Sequence, residues 1–218
     1  MSDLRAHGVH KTWRGGPTVL EGASLDVPAG TSTLLTGRNG AGKTTLLRIL
    51  AGLIGADAGE VRYGDLDPER SATDYRRRMA YLGVVSAGLY PRLKVRHHLD
   101  LWARLAYLSA AEQDARTAEM VEAFALRELL DRRPDRMSMG QRQRLRLAGT
   151  FLHGPELVLL DEPANSLDDV GLELLRTMVA RTRASGGVLV WAQPFGEGAH
   201  GIDFDAHWVL EGGKLVPA

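Results

Sequence analysis

The chain contains no cysteine among its 218 residues. This absence excludes disulfide frameworks, thiolate nucleophiles and cysteine-based metal sites together, and it is compatible with a reducing compartment. Long apolar runs are missing as well: no window approaches 18 apolar residues, and the start MSDLRAHGVHK lacks the apolar core of a secretory signal. We therefore expect neither a membrane span nor a signal peptide, so that any membrane association has to come through a partner.

The chain also lacks net charge, because its 27 basic and 27 acidic residues balance to a formal charge of zero. Without a global positive field, nucleic acid is not expected as the main partner. The remaining composition is that of a globular protein, with 44% hydrophobic and 25% charged residues. A chain of this length and composition can bury a proper hydrophobic core.

Hydrophobic periodicity divides the chain into three regions. Residues 1–36 alternate short β-rich runs with turns, and the last of these runs leads through a glycine loop into the helical pattern TLLRILAGL. Residues 94–150 show three helical patterns and no strand signal. Buried strands at 156–160 and 187–192 then flank a helix at 168–184, which predicts a mostly parallel sheet with crossover helices. The ending HWVLEGGKLV predicts a glycine-turned hairpin, and the segments 64–74 and 194–205 are expected to be loops.

The segment GRNGAGKT, residues 37–44, satisfies the pattern G-x-x-x-x-G-K-[ST] between a predicted strand and a predicted helix. Glycines let backbone N–H groups curl around phosphates, and the positive end of the following helix adds to the attraction. A plain tight turn would not require a lysine followed by two hydroxyls. We therefore expect ATP phosphates to be bound by Gly37, Asn39, Gly40, Ala41, Gly42, Lys43, Thr44 and Thr45, with Lys43 at the β- and γ-phosphates and Thr44 also at Mg²⁺.

The segment LVLLDEP ends a predicted buried strand with two adjacent acids. Successive side chains diverge at a strand end, so Asp161 can face a metal while Glu162 faces the γ-phosphate and an attacking water. We expect Asp161 to be the second Mg²⁺ residue, through water, and Glu162 to be the general base or the residue that positions water.

The segment MSMGQRQR, residues 137–144, places a small polar turn in front of a basic helical run. A helix that begins near Gly140 would present free N–H groups and a positive dipole end at Ser138 to Gln141, which is a second anion-binding device. The simpler alternative is that Ser138 is only a helix N-cap. Two such devices in separate lobes are most naturally used by two copies arranged head to tail.

These motifs, together with NSLD at residues 165–168, occur in an order and spacing that resemble those of an ABC-type ATPase domain over essentially the whole chain. The resemblance implies an α/β fold with a P-loop NTPase core, an N-terminal antiparallel β region and a helical insert. It implies one ABC ATPase domain over 1–218, in which 1–93 and 151–218 form the catalytic lobe and 94–150 form the helical subdomain that carries the signature.

The resemblance also implies roles for individual residues. SMGQ is similar to the family signature, with Met139 in place of its first glycine. Ser138 and Gly140 would therefore contact the γ-phosphate held by the opposite subunit, and Gln141 would help to set the turn at that nucleotide site. NSLD is similar to the D-loop, which would place Asp168 at the dimer seam. Trp13 matches the aromatic residue that stacks on adenine, although a core or surface tryptophan is the alternative.

Two residues that the family normally carries are missing. The glutamine expected after the strand near residue 82 is replaced by Val84 or Val85, and the histidine expected after the last core strand is replaced by Gln193. The amide of Gln193 can still donate a hydrogen bond to the γ-phosphate, but it cannot carry the charge of an imidazolium. Loss of one transition-state donor typically costs about 10²–10³-fold in rate, so we expect tight Mg-ATP binding with slow turnover.

The function expected from the resemblance is that of an ATP-hydrolysing subunit of an ABC transporter, cytoplasmic and peripheral on the inner face of the cell membrane. It would act with a separate membrane subunit, the permease, for which segment 86–95 is the candidate contact, and it would pair with itself or with a sister ATPase. Small exporters, including the haem exporter type, are the most similar. The alternatives are a non-catalytic ATP-binding regulatory subunit and a soluble ABC ATPase that acts on nucleic acid or ribosomes. The substrate and the direction of transport are not encoded in this chain.

Overall fold

The computed structural model describes residues 2–84, 88–198 and 200–218. Val85 and the first two residues of segment 86–95 therefore lie outside the described residues. The chain divides into two compact units. Unit 1 contains Met1–Tyr81, Glu156–Glu162 and Val179–Ala218, and unit 2 contains Leu82–Pro155 and Pro163–Met178.

Unit 1 contains two sheets. The antiparallel sheet has the order β2-β1-β4, with β1 at Leu4–Thr12, β2 at Thr18–Val27 and β4 at Ala58–Tyr63. The second sheet has six strands in the order β5-β6-β7-β3-β8-β9. Its strands are β3 (Ser32–Gly37), β5 (Met79–Leu82), β6 (Leu157–Asp161), β7 (Val188–Pro194), β8 (Ala206–Glu211) and β9 (Lys214–Pro217). The pairs β3–β7, β3–β8 and β6–β7 are parallel, and β8–β9 is the expected antiparallel hairpin.

The central strands are buried along their whole length. Every residue of β3 and β6 is buried, and so is all of β7 except its last residue. Continuous burial is typical of parallel strands that are covered on both faces, and it explains the uninterrupted apolar runs in the sequence. Because β6, β7 and β3 are parallel neighbours, their carboxyl ends meet at one edge of the sheet, and the polar residues that follow them are brought together there.

The helices follow the predicted pattern with small differences in extent. Helix α1 spans Lys43–Leu50 and α2 spans Ala72–Arg78, so α2 begins inside the segment 64–74 that was expected to be a loop. In unit 2, α3 spans Val95–Leu105, α4 spans Ala110–Ala123 and α5 spans Met139–Phe151. Helix α6, Asp169–Ala184, contributes residues to both units.

The boundary of the helical part differs from the expected 94–150. Unit 2 begins at Leu82 and ends its first segment at Pro155, and it also takes Pro163–Met178. Two contacts explain why this last segment belongs with the signature helix. The Gln143 side chain donates from Nε2 to the Pro163 carbonyl over 2.8 Å, and Gly140 lies so close to the Ser166 carbonyl that a Cβ would be 2.9 Å from it.

Within the described parts of the chain, no helix combines the length and the apolar character that crossing a membrane requires.

Candidate functional site

The loop 37–44 connects the end of β3 to α1 in unit 1. Gly42 precedes the helix with φ of 106°, and a Cβ there would lie 2.9 Å from the Val19 carbonyl, so both the conformation and the space require glycine. No side chain caps the N-terminus of α1, and its first turn contains no acidic residue. The free N–H groups and the positive end of the helix dipole are therefore available to an anion.

Lys43 is the first residue of α1 and is only 6% exposed. Its Nζ donates to the Gly37 carbonyl over 2.8 Å and to the Arg38 carbonyl over 3.1 Å. The ammonium group therefore connects the end of the loop to its beginning. Burial lowers the pKa of Lys43, while the nearby carboxylates of Glu162, Asp161 and Glu197 oppose that shift. A buried cation held by two loop carbonyls is positioned to exchange those carbonyls for phosphate oxygens.

Asp161, at the carboxyl end of β6, meets the phosphate loop directly. Its Oδ2 accepts a hydrogen bond from the Thr44 hydroxyl over 2.7 Å, and the residue is 1% exposed. The other carboxylate oxygen, Oδ1, is buried without a hydrogen-bond partner among the described residues. Burial raises the pKa of Asp161, and the Thr44 hydrogen bond opposes that shift. Since buried polar atoms are nearly always paired, an unpartnered carboxylate oxygen beside a threonine hydroxyl fits the oxygen ligands of Mg²⁺.

Glu162 follows Asp161 with a left-handed backbone, φ of 49°, and its N–H donates to the Ala192 carbonyl over 2.8 Å. This conformation is held against a cost of roughly 1–3 kcal/mol for a residue other than glycine. It turns the chain away from the strand direction immediately after Asp161. This turn lies between the two acidic residues, at the place where the sequence predicts that their side chains diverge.

Gln193 lies near the end of β7, opposite Thr36 of β3 in the parallel register. It is 1% exposed, and all of its hydrogen bonds described here are made within unit 1. Its Oε1 accepts from the Trp191 indole N–H over 2.8 Å, and its Nε2 donates to the carbonyls of Glu197 (2.6 Å) and Gly198 (3.1 Å). Both amide hydrogens are engaged, so the predicted contact with a γ-phosphate would require this arrangement to open.

Trp13 follows β1 directly and is 41% exposed. The Lys11 ammonium lies 5.8 Å from the centroid of its ring. Part of the ring is thus available to a planar ligand, while the Lys11 cation provides a contact of the cation–π type.

The signature residues belong to unit 2. Ser138 caps α5: its Oγ accepts from the Gln141 N–H over 3.1 Å, while the Ser138 N–H donates to Gln141 Oε1 over 3.1 Å. This capping box corresponds to the simpler alternative for Ser138, yet it leaves the hydroxyl hydrogen to donate elsewhere. The first turn of α5 has no acidic residue, and Met139 is 66% exposed.

Asp168, also in unit 2, has its carboxylate turned toward its own chain. Its Oδ1 accepts from the Gly171 N–H over 2.8 Å, as an N-capping aspartate does at the start of a helix. The structure therefore joins Thr44 and Asp161 by a hydrogen bond in unit 1, with Lys43 next to Thr44 in the chain. It places Ser138, Gly140, Gln141 and Asp168 in unit 2.

Sequence reasoning missed Tyr81, whose hydroxyl lies 3.5 Å from Asp161 Oδ2. Burial raises the pKa of Tyr81, so the phenol stays protonated. The tyrosine comes from β5, which neighbours β6 in the sheet. The signal could have been found only by knowing that strand order, because 80 positions separate the two residues in sequence.

Comparisons with known proteins identify the family. The family model described as ABC transporter matches residues 20–165. The cytochrome c biogenesis ATP-binding export protein CcmA of Gluconobacter oxydans is 39% identical over 82% of this chain and 75% of its own length. The sn-glycerol-3-phosphate import ATP-binding protein UgpC of Cereibacter sphaeroides is 34% identical over 77% of this chain, which spans only 47% of that relative's length.

Solved structures give the same result. A structure titled as the ATP binding subunit of an ABC transporter superposes with a TM-score of 0.87 at 28% identity, over 97% of this chain and 87% of its own. The matched family model covers the phosphate loop and the signature as well as the Asp161–Glu162 pair. The chain therefore belongs to the ABC transporter family, as a protein of its ATP-binding-subunit type.

Proposed function

We propose that this chain binds and hydrolyses ATP and that it uses ATP binding to drive transport through a separate membrane subunit. The observation that carries this proposal is the 2.7 Å hydrogen bond between the Thr44 hydroxyl and Asp161, with the Lys43 ammonium on the adjacent residue. It joins the phosphate loop to the metal-binding carboxylate from 117 positions away in sequence. Burial of these polar and charged groups costs free energy, so their presence together at the sheet edge indicates a ligand-binding role.

In this proposal the loop N–H groups and Lys43 bind the ATP phosphates, and Thr44 and Asp161 hold Mg²⁺. The orphaned Asp161 Oδ1 is the direct support for the metal, because a cation would satisfy it. Bound Mg²⁺ would neutralise negative charge on the phosphate oxygens. Trp13 stacks on the adenine, using the part of its ring that is exposed.

Glu162 positions the attacking water or accepts its proton. What supports this role is its place directly after Asp161, where the backbone turns away from the strand direction. Its carboxylate is also close enough to act electrostatically on Lys43. Replacement of a general base of this kind typically costs about 10²–10⁴-fold in rate.

Two copies, or this chain and a sister ATPase, pair head to tail around ATP. Ser138, Gly140 and Gln141 of one copy then face the γ-phosphate held by the other, and Asp168 lies at the seam. The uncapped positive end of α1 and the acid-free first turn of α5 support this arrangement, because each helix end favours an anion.

The membrane subunit supplies the transport pathway, and the chain is placed on the inner face of the membrane by that contact. The relatives support coupling to transport but not its direction, since their names include both an export protein and an import protein. The part of segment 86–95 that the structure describes is the proposed contact, and Tyr90 in it is 59% exposed.

Slow hydrolysis remains part of the proposal, and a non-catalytic ATP-binding regulatory subunit is the second candidate. One observation favours these two possibilities over rapid ATP hydrolysis. The Gln193 amide, at the position of the family histidine, makes all of its hydrogen bonds to Trp191 and to segment 195–198. A group held in that way cannot serve the γ-phosphate without first breaking its own hydrogen bonds.

The test is calorimetric titration of ATP with and without Mg²⁺, together with steady-state hydrolysis. Wild type should bind ATP more tightly with Mg²⁺, Lys43→Met should lose binding, and Thr44→Val should lose the Mg²⁺ dependence. Measurable turnover that Glu162→Gln lowers at least about 100-fold identifies an ATPase. Binding without turnover identifies the regulatory subunit, and absence of ATP binding by wild type would overturn the whole proposal.

A further inference from the structure

The segment 195–198, directly after β7, is held by a buried side chain. The Nε2 group of Gln193 donates two hydrogen bonds to this segment, one to the Glu197 carbonyl over 2.6 Å and one to the Gly198 carbonyl over 3.1 Å. The donor is buried, whereas the segment that it holds is exposed. The position of the exposed segment therefore depends on the orientation of that amide.

The amide is in turn fixed from behind by Trp191. The Trp191 indole N–H donates to Gln193 Oε1 over 2.8 Å, and the indole is fully buried against Phe204, at 5.9 Å between ring centroids. Three hydrogen bonds thus require one acceptor and two donors on the same planar group. Glutamine provides this set, whereas a neutral imidazole offers only one donor and one acceptor. The glutamine at this position is therefore matched to its surroundings.

The held segment begins next to the phosphate loop. In the β3–β7 register, Gln193 lies opposite Thr36 and Pro194 lies opposite Gly37, the first residue of the loop. The Gly37 carbonyl is one of the two acceptors of the Lys43 ammonium. Burial lowers the pKa of Lys43, and the carboxylates of Glu162, Asp161 and Glu197 oppose that shift. Segment 195–198 thus brings an additional negative charge to the group that is proposed to bind phosphates.

We propose that Gln193 is a positioning residue that holds the Glu197 carboxylate beside the phosphate loop, where this carboxylate opposes the binding of ATP phosphates. This inference rests on the proposed function, since it concerns the affinity of the same site. The Glu197 carboxylate competes with the ATP phosphates for electrostatic attraction to the Lys43 ammonium. When the hydrogen bonds from Gln193 to segment 195–198 break, this carboxylate is free to move away from Lys43. The segment is therefore an autoinhibitory element of the nucleotide site.

The effect on affinity is electrostatic and moderate. Glu197 is exposed, so water and salt screen its charge. Charges screened in this way contribute a few tenths to about 1 kcal/mol, which corresponds to roughly twofold to fivefold in affinity. We expect Glu197→Gln to tighten Mg-ATP binding about threefold in 50 mM salt and to have little effect in 500 mM salt. Glu69→Gln, a charge change at another exposed position of unit 1, is the matched control and should leave the affinity unchanged.

A double-mutant cycle separates the two roles. Gln193→Ala should also tighten binding, and Gln193→Ala with Glu197→Gln should be no tighter than Glu197→Gln alone, because Gln193 acts only through that carboxylate. The contact itself is measured by limited digestion with a glutamate-specific protease. Cleavage after Glu197 should be at least about tenfold faster in Gln193→Ala than in wild type, and Mg-ATP should accelerate it in wild type.

The outcomes are distinguishable. If wild type binds Mg-ATP but Glu197→Gln binds no more tightly at low salt, this inference is wrong while the proposed function stands. Additive effects of the two substitutions would also overturn it, because Gln193 would then act by another route. If Gln193→Ala does not fold, the surface substitution Glu197→Gln still decides the question. Failure of wild type to bind ATP would remove the proposed function itself.

Discussion

Replacement of Asp161 by asparagine separates what this residue does for folding from what it does for function. The carboxylate is 1% exposed, Oδ2 has the Thr44 hydroxyl as a partner, and Oδ1 has none in the part of the chain that the structure describes. A buried charge with an unsatisfied oxygen destabilises a protein that has no cation at that position. An asparagine side chain would keep the shape and the Thr44 hydrogen bond, and its uncharged NH₂ group would take the place of Oδ1, so that only the cost of the buried charge is removed. We therefore expect Asp161→Asn to stabilise the nucleotide-free protein and to abolish its stabilisation by Mg-ATP.

The size of the effect follows from the contacts. An unsatisfied buried polar group costs about 1–3 kcal/mol, more when charged, and removing the charge should recover roughly the lower part of that range. For a chain of about this length, 1 kcal/mol corresponds to roughly 2–4 °C in Tm. By the same relation, the nucleotide-free variant should melt about 2–6 °C above wild type. The gain in Tm that saturating Mg-ATP gives wild type should in contrast fall to the level seen with ATP and a chelator.

The assay is thermal unfolding of both proteins without nucleotide, with ATP and a chelator, and with Mg-ATP. Asp205→Asn is the matched control, because that carboxylate is fully used. Its Oδ2 accepts from the Ser32 N–H and hydroxyl at 2.7 and 3.1 Å, and its Oδ1 pairs with Arg183 at 2.7 Å. Asp205→Asn should lower the Tm and leave the Mg²⁺ dependence intact.

The pH dependence gives a further check of the reasoning. Since burial raises the pKa of Asp161, its destabilising effect is present at neutral pH and is relieved as the pH falls through that raised pKa. The difference in stability between Asp161→Asn and wild type should therefore shrink on acidification. A nucleotide-free variant less stable than wild type at pH 7, with its Mg-ATP response preserved, would refute the argument.

Two other predictions concern unit 2. Burial lowers the pKa of His98, and the neutral ring accepts a hydrogen bond at Nε2 from the Tyr90 N–H over 2.9 Å. The contribution of His98 to stability is therefore present above the unfolded pKa of 6.5 and is lost as the pH falls through the lower folded pKa. Wild type should thus lose more stability between pH 8 and pH 5 than His98→Gln, as measured by urea unfolding, and equal losses would contradict this assignment. Gly149→Ala in α5 would place a Cβ 2.7 Å from the Trp102 ring, so overpacking of about 1–3 kcal/mol should exceed the helix-propensity gain of about 1 kcal/mol. The urea midpoint should fall and Trp102→Leu should restore it, whereas a rise would show that the ring moves at no cost.

Much of the fold could be predicted from the sequence because its main elements have strong local signals. The apolar runs at 157–160 and 188–192 are long and uninterrupted, and the glycine loop connects a strand to a helix by a known pattern. The parallel direction of β3, β7 and β6 follows from the alternation of strands and helices, whereas their order in the sheet does not. The proximity of Thr44 and Asp161 fits the same pattern, because β3, β7 and β6 run parallel and their carboxyl ends lie at one edge of the sheet.

Other features depend on tertiary contacts that no local sequence pattern indicates. The hydrogen bonds of Gln193 require the positions of Trp191 and of segment 195–198, and the sequence shows only that a glutamine replaces the family histidine. The contact of Tyr81 with Asp161 depends on strand order. Likewise, the D-loop belongs with the signature helix because Gln143 donates to Pro163, which no periodicity reveals.

The central claim is that ATP is bound between two copies, by the phosphate loop of one and the Ser138 turn of the other. It is tested most directly by analytical ultracentrifugation of Glu162→Gln with saturating Mg-ATP, alone and with a candidate sister ATPase. We expect a dimer that forms with Mg-ATP but not with ADP, and that Ser138→Arg prevents by filling the space of the phosphate. A protein that binds Mg-ATP in this assay yet stays monomeric under every one of these conditions would contradict the account.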